Sequence, residues 1–84
     1  MKIEIVNTEL PRVDADEICE KVNRVLDGKE WSLEIDDGVP MFYPRTNGIY
    51  WNIYLDNNVW ILEWDSQYVG VVKIEDDIDI LYNR

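Results

Sequence analysis

Histidine is absent from these 84 residues, cysteine occurs once, and basic residues number 8 against 18 acidic ones. Without histidine the chain lacks both the commonest general base and the commonest metal ligand. The lone Cys19 cannot close an internal disulfide. With no signal-like apolar segment after Met1-Lys2-Ile3-Glu4, it fits a reducing, cytoplasmic setting. Apolar runs stop at four or five residues, too short to cross a bilayer. A formal charge of −10 works against direct contact with nucleic acid or anionic lipid, because such binding depends on Lys and Arg neutralising phosphates.

Other signatures are missing too. There is no P-loop, no dinucleotide-binding fingerprint and no CxxC pair. Ser32 and Ser66 have no nucleophile-elbow motif around them, and Cys19 lies beside an apolar stripe where a small buried hydrophobe fits. Carboxylates are plentiful, but Asp36-Asp37 and Asp76-Asp77 are adjacent pairs in turn positions, where Asp serves the turn itself. No stretch matches a calcium-binding loop. A pocket of roughly 300 Å³ is hard to build inside so small a core. The residues therefore point away from an enzyme, a metal site and a cofactor.

What the chain does have is aromatic bulk: four Trp, five Tyr and one Phe, enough to build a core without disulfides. Lys2 to Val6 alternates polar and apolar residues and reads as a strand. Asp14 as N-cap, Glu17 three residues on, and Val13 and Ile18 as a hydrophobic staple mark a helix start. Ile18, Val22, Val25 and Leu26 supply its apolar stripe, and Asp27-Gly28 its end. Glu17 before Lys21 and Glu20 before Arg24 support it at i,i+4 spacing.

From Lys29 onward the period changes to two. Trp31-Ile35 and Val39-Tyr43 flank an Asp36-Asp37-Gly38 turn, and Pro40 and Pro44 mark the second limb as an edge or irregular strand. Strand character recurs over 49–55, 59–65, 68–74 and, more briefly, 78–82, with turns expected at Asn57-Asn58, Ser66-Gln67 and Asp76-Asp77. The expected fold is α+β, one helix packed on one face of an antiparallel, meander-like sheet of about five to six strands in the order β-α-β-β-β-β-β.

A two-residue loop at Asn57-Asn58 sets Leu55 opposite Trp60, Ile53 opposite Leu62 and Trp51 opposite Trp64, all on one face. Val69 and Val71 extend that core if Ser66-Gln67 is also a two-residue loop. The opposite face then carries Tyr50, Asn52, Tyr54, Ile61, Glu63, Asp65, Val72, Ile74, Asp79 and Leu81. Residues 1–28 hold seven acids and four bases, 29–84 eleven acids and four bases, so the surplus charge lies in the second part.

A basic protein surface complements such charge. The candidate partner-binding residues are Tyr50, Tyr54, Asp56, Glu63, Asp65, Glu75, Asp76, Asp77 and Asp79. Opposed strand residues lie about 5 Å apart and same-face neighbours about 7 Å, near the spacing of phosphates along a nucleic-acid strand. In size and charge the chain resembles small acidic anti-restriction, anti-CRISPR and toxin-immunity proteins. That class implies an inhibitor occupying the basic site of a nuclease or defence protein, as a nucleic-acid mimic. The alternative is a self-associating accessory module. Both a monomer and a homodimer are compatible with the sequence.

Overall fold

In the computed structural model, which describes residues 1–75, the N-terminal alternation forms β1 (Lys2–Thr8), followed by α1 (Arg12–Asp27). Five strands come after it without interruption: β2 (Trp31–Asp36), β3 (Val39–Pro44), β4 (Trp51–Asp56), β5 (Val59–Trp64) and β6 (Gln67–Glu75). They form one antiparallel sheet in the order β1-β6-β5-β4-β3-β2, so β1 and β2 are its two edges among the described residues. The α+β arrangement of a single helix and a meander is as the sequence predicts. The strand and turn expected beyond residue 75 lie outside the described residues.

Hairpin chemistry fixes the meander. The paired turn residues Asp37-Gly38, Asn57-Asn58 and Asp65-Ser66 all have positive φ, the geometry that matches the twist of two-residue hairpins and that Asp, Asn and Gly tolerate best. The last turn falls one residue earlier than expected, at Asp65-Ser66 instead of Ser66-Gln67, because Trp64 pairs with Gln67.

The register across β4 and β5 is as expected, with Leu55 opposite Trp60, Ile53 opposite Leu62 and Trp51 opposite Trp64. Across β5 and β6 it shifts. Glu63 faces Tyr68 but Leu62 faces Gly70, which leaves Val69 as an extra residue in a bulge. Val72 and Ile74 consequently pack on the helix side and Val71 on the other, the reverse of the sequence expectation. A second bulge in β1 leaves out Val6 between Ile5 and Asn7, directly beside the first.

The helix also starts earlier than the capping signals suggest. Pro11 occupies the N-cap in an extended conformation, and its carbonyl accepts from the Asp14 and Ala15 amides at 3.0 and 3.1 Å. Asp14 is therefore a first-turn carboxylate favoured by the helix dipole, not the cap, and Val13, 73% exposed, forms no staple with Ile18. Both i,i+4 pairs form, Lys21–Glu17 at 3.4 Å and Arg24–Glu20 at 2.7 Å, joined by Arg12–Asp16 at 3.1 Å.

At its C-terminus the Glu30 amide donates to Val25 O and the Lys29 amide to Leu26 O, both at 3.2 Å, the two bonds of a Schellman motif. The left-handed position of that motif falls on Lys29 (φ 59), while Gly28 is right-handed. Lys29→Gly should raise stability by about 1 kcal/mol, read as a melting temperature roughly 4–8 °C higher.

Buried Ala15, Cys19, Val22, Val25 and Leu26 pack on Ile3, Ile5, Phe42, Trp51, Ile53, Leu62, Val69 and Val72. Aromatics extend this core: Phe42 lies between Trp31 and Trp60, with ring centroids 5.4 and 5.5 Å away, and the Trp31 indole donates to Leu26 O in the last turn of α1 at 3.1 Å. The Trp51 indole N–H is the one buried side-chain donor without a partner among the described residues, so packing alone carries its burial.

Pro40 and Pro44 were expected to make β3 an edge or irregular strand, yet β3 is interior. The Arg45 amide donates to Glu30 O at 2.9 Å, so every second pair from there toward the turn is hydrogen-bonded between β2 and β3. By that alternation the ring nitrogens of Pro40 and Pro44 face β4. Accordingly the β3–β4 ladder is short, limited to Met41 with Tyr54 and Phe42 with Ile53. Two prolines bracket the seam that joins the β2–β3 hairpin to the rest of the sheet.

Candidate functional site

Strand alternation sorts the aromatic residues by type. Trp31, Trp51, Trp60 and Trp64 all belong to the core on the helix side, and the Lys21 ammonium sits 5.9 Å from the Trp64 ring centroid. Tyr43, Tyr54 and Tyr68 project from the helix-free face, opposite Ser32, Ile61 and Glu63 respectively, and Tyr50 joins them just before β4. Tyr50 and Tyr68 are 68% and 42% exposed, and Tyr43 and Tyr54 half-buried.

A belt runs across this face through all six strands: Glu34, Met41, Tyr54, Ile61, Val71 and Asn7. Ile61 is buried within it, apart from the main core, and Met41 and Val71 are half-buried. Beside the belt lies a polar row of Asn52, Glu63 and Tyr68. The Tyr43 hydroxyl donates to Glu34 at 2.9 Å and the Tyr54 hydroxyl to Glu63 at 3.4 Å. Both phenols are held above the usual tyrosine range, Tyr43 by its bond to Glu34 and Tyr54 first by burial and then by the Glu63 charge. They remain neutral donors at physiological pH.

The 45–50 loop overhangs one end of the face. It is tied to the α1–β2 connection by the Arg45 guanidinium donating to Lys29 O at 2.6 Å and by Thr46 Oγ1 to Glu30 at 3.0 Å. Between loop and sheet is an open groove of about 580 Å³ whose walls include Glu34, Met41, Tyr43, Arg45, Tyr50 and Asn52. The expectation was only that a pocket is hard to build inside so small a core, and this groove arises between loop and sheet surface. Its walls hold one carboxylate, Glu34, and one guanidinium, Arg45, together with the hydroxyls of Tyr43, Thr46, Tyr50 and Ser66. No group of three metal-ligating side chains occurs among the described residues.

The candidate residues separate into three places. Tyr54 and Glu63 are central. Tyr50 and Asp65 meet at one end, where the Asp65 amide donates to Tyr50 O at 2.8 Å. Asp56 lies at the other end of β5, about 20 Å away by strand rise. The same end holds Asp36, Asp37 and the backbone of Glu75. A meander puts successive turns at alternate ends, so Asp56 and Asp65 cannot share one row of charge. Asp76, Asp77 and Asp79 lie outside the described residues. Sequence reasoning missed Glu34, Met41, Tyr43 and Tyr68, although the alternation in 39–43 and the Asp65-Ser66 turn carry the signal for them.

Cys19 is buried against β1, its Sγ 3.5 Å from Ile3 O, and desolvation pushes its pKa up, opposed by the Ile5 backbone. A folded-state value above the unfolded one adds stability that is present below the unfolded pKa and lost as pH rises through the folded one. The expected outcome is a thiol inert to an aromatic disulfide reagent in the native state and fully reactive in denaturant, with stability declining above the ordinary thiol value of 9.0.

No helix among the described residues is long and apolar enough to cross a membrane. Comparison with protein-family models, with curated proteins and with solved structures finds no match to this chain.

Proposed function

We propose that this chain is a small acidic binding module of the inhibitor or immunity type, which docks a basic protein on the helix-free face of its sheet. The leading partner class is a nucleic-acid-handling protein whose basic site the module occupies. The observation that supports this reading is the sorting of tyrosine from tryptophan. Residues that bury a ring while keeping a hydroxyl wet line one face, and those suited to the core line the other. The half-buried Met41, Tyr54 and Val71 supply an apolar centre, rimmed by Glu34, Asp56 and Glu63. The carboxylates at the Asp36, Asp37 and Asp56 turns would steer encounter, and the tyrosines would hold the complex.

The test is a pull-down from host and competitor extracts at low and moderate salt, followed by kinetics with the captured protein. Tyr50→Ala and Tyr68→Ala are each expected to weaken binding by about thirtyfold, the scale of an interface hot spot, without changing the fold. Association should slow steeply with salt, and dissociation little. Salt-independent association, or full affinity in both tyrosine variants, would remove the basis for this function.

A further inference from the structure

The two edges of the sheet are finished differently. On β1 the outward-facing backbone is occupied: the Ile3 amide donates to Asn23 Oδ1 at 2.8 Å, and Asn23 Nδ2 donates to Ile3 O at 2.9 Å. The Asn23 amide from α1 thus stands where a neighbouring strand would be, with Cys19 Sγ on the same carbonyl. Such covering suppresses pairing with other chains. No comparable cover lies along β2 among the described residues.

The alternation set by the Arg45–Glu30 bond turns Glu30, Ser32, Glu34 and Asp36 toward β3 and leaves the N–H and C=O groups of Trp31, Leu33 and Ile35 facing outward. Their side chains share the core side and emerge progressively: Trp31 and Leu33 are half-buried and Ile35 is 57% exposed. Ser32, Glu34 and Asp36 line the other side. The edge therefore offers ladder groups, an apolar row above and an acidic row below.

We propose that the outer edge of β2 receives an extended segment of a partner protein as an added strand, with apolar and basic residues alternating along it. The apolar residues would lie beside Trp31, Leu33 and Ile35, and the basic ones beside Glu34 and Asp36. A second copy of this chain fits poorly. Antiparallel pairing centred on Leu33 opposes Glu30 to Asp36, pairing centred on Glu34 opposes Glu34 to itself, and pairing centred on Ser32 opposes Glu30 to Glu34. Each register places like charges directly opposite one another, between copies that each carry −10. This edge shares Glu34 and Asp36 with the rim of the tyrosine face, but its ladder groups and its apolar row of Trp31, Leu33 and Ile35 belong to the edge and the helix side, and neither proposal requires the other.

The experiment is residue-resolved amide exchange of the full chain with a short peptide alternating lysine and valine at millimolar concentration. Exchange at Leu33 and Ile35 is expected to slow about tenfold, as for amides drawn into a ladder. A glutamate–valine peptide of equal length should leave it unchanged. Glu34→Lys with Asp36→Lys, both at exposed positions, should abolish the effect of the lysine peptide while tryptophan emission reports an intact fold. Tyr50→Ala and Tyr68→Ala should leave the effect as in the parent, which separates this edge from the tyrosine face. No slowing at Leu33 and Ile35, equal slowing by both peptides, or slow exchange in a dimer of the chain alone would each overturn the proposal.

Discussion

Replacing Phe42 with alanine is expected to lower stability by about 4 kcal/mol, at the upper range for truncating a buried aromatic. Phe42 is completely buried and lies between Trp31 and Trp60, and the Trp31 indole is itself tied to the helix by its bond to Leu26 O at 3.1 Å, so neither ring is free to settle into the space. Its position sharpens the effect. The β2–β3 hairpin is joined to β4 by a ladder of two pairs, one of which is Phe42 with Ile53, and the bracketing prolines prevent a longer one. Side-chain packing must therefore hold the seam. For a domain of this size a total stability of about 5–10 kcal/mol is ordinary, so much of it would be lost. Chemical denaturation gives the total. Amide exchange adds a finer expectation, that protection in β2 and β3 collapses before protection in β5 and β6. Uniform loss across the sheet would show that the seam is no weaker than its neighbours.

Gly70→Ala is expected to cost about 3 kcal/mol, the scale of overpacking in a rigid interior. A Cβ at Gly70 would overlap the Asn7 carbonyl oxygen and lie 3.1 Å from both Asn7 C and Thr8 Cα. These obstacles are backbone and cannot rotate away. Two adjacent bulges bring β1 this close to β6, and Thr8 Oγ1 fastens the contact by donating to Val69 O at 2.6 Å while accepting from the Leu10 amide at 3.1 Å. Relief would require β1 to move, together with Ile3, Ile5 and the helix held to them. Thermal melting checks the magnitude, and a variant as stable as the parent would contradict the close approach.

These two sites mark where reading the sequence succeeded and where it stopped. The register of β4 on β5 was legible because a two-residue loop and the alternation of Trp51, Ile53 and Leu55 against Trp60, Leu62 and Trp64 independently require the same pairing. The run Val69-Gly70-Val71-Val72 has no such redundancy. Its apolar residues satisfy either phase, and the bulge that chooses between them depends on β1, more than sixty residues away in the chain. Pro40 misled for a related reason. Proline forbids one hydrogen bond, and whether that makes an edge depends on which neighbour its nitrogen faces.

At the candidate site, Tyr50, Tyr54 and Glu63 were readable from the same alternation, and the structure keeps Tyr54 and Glu63 together. Grouping Asp56 with Asp65 failed, because local charge counts do not record that consecutive hairpins point in opposite directions. The helix signals erred by three residues at the N-cap. Pro11 is compatible with an N-cap just as Asp14 is, and its carbonyl is already committed to the first turn.

The division of ring types between the two sheet faces gives the molecule two optical reporters, one on each side of the sheet. Indole emission originates entirely from the helix side of the sheet and follows whether the chain is folded. The tyrosine contribution to a difference spectrum, from the described residues, originates on the opposite side and follows whether that surface is wet. A ligand that perturbs the second signal and spares the first has touched the outside of a molecule whose interior stayed as it was.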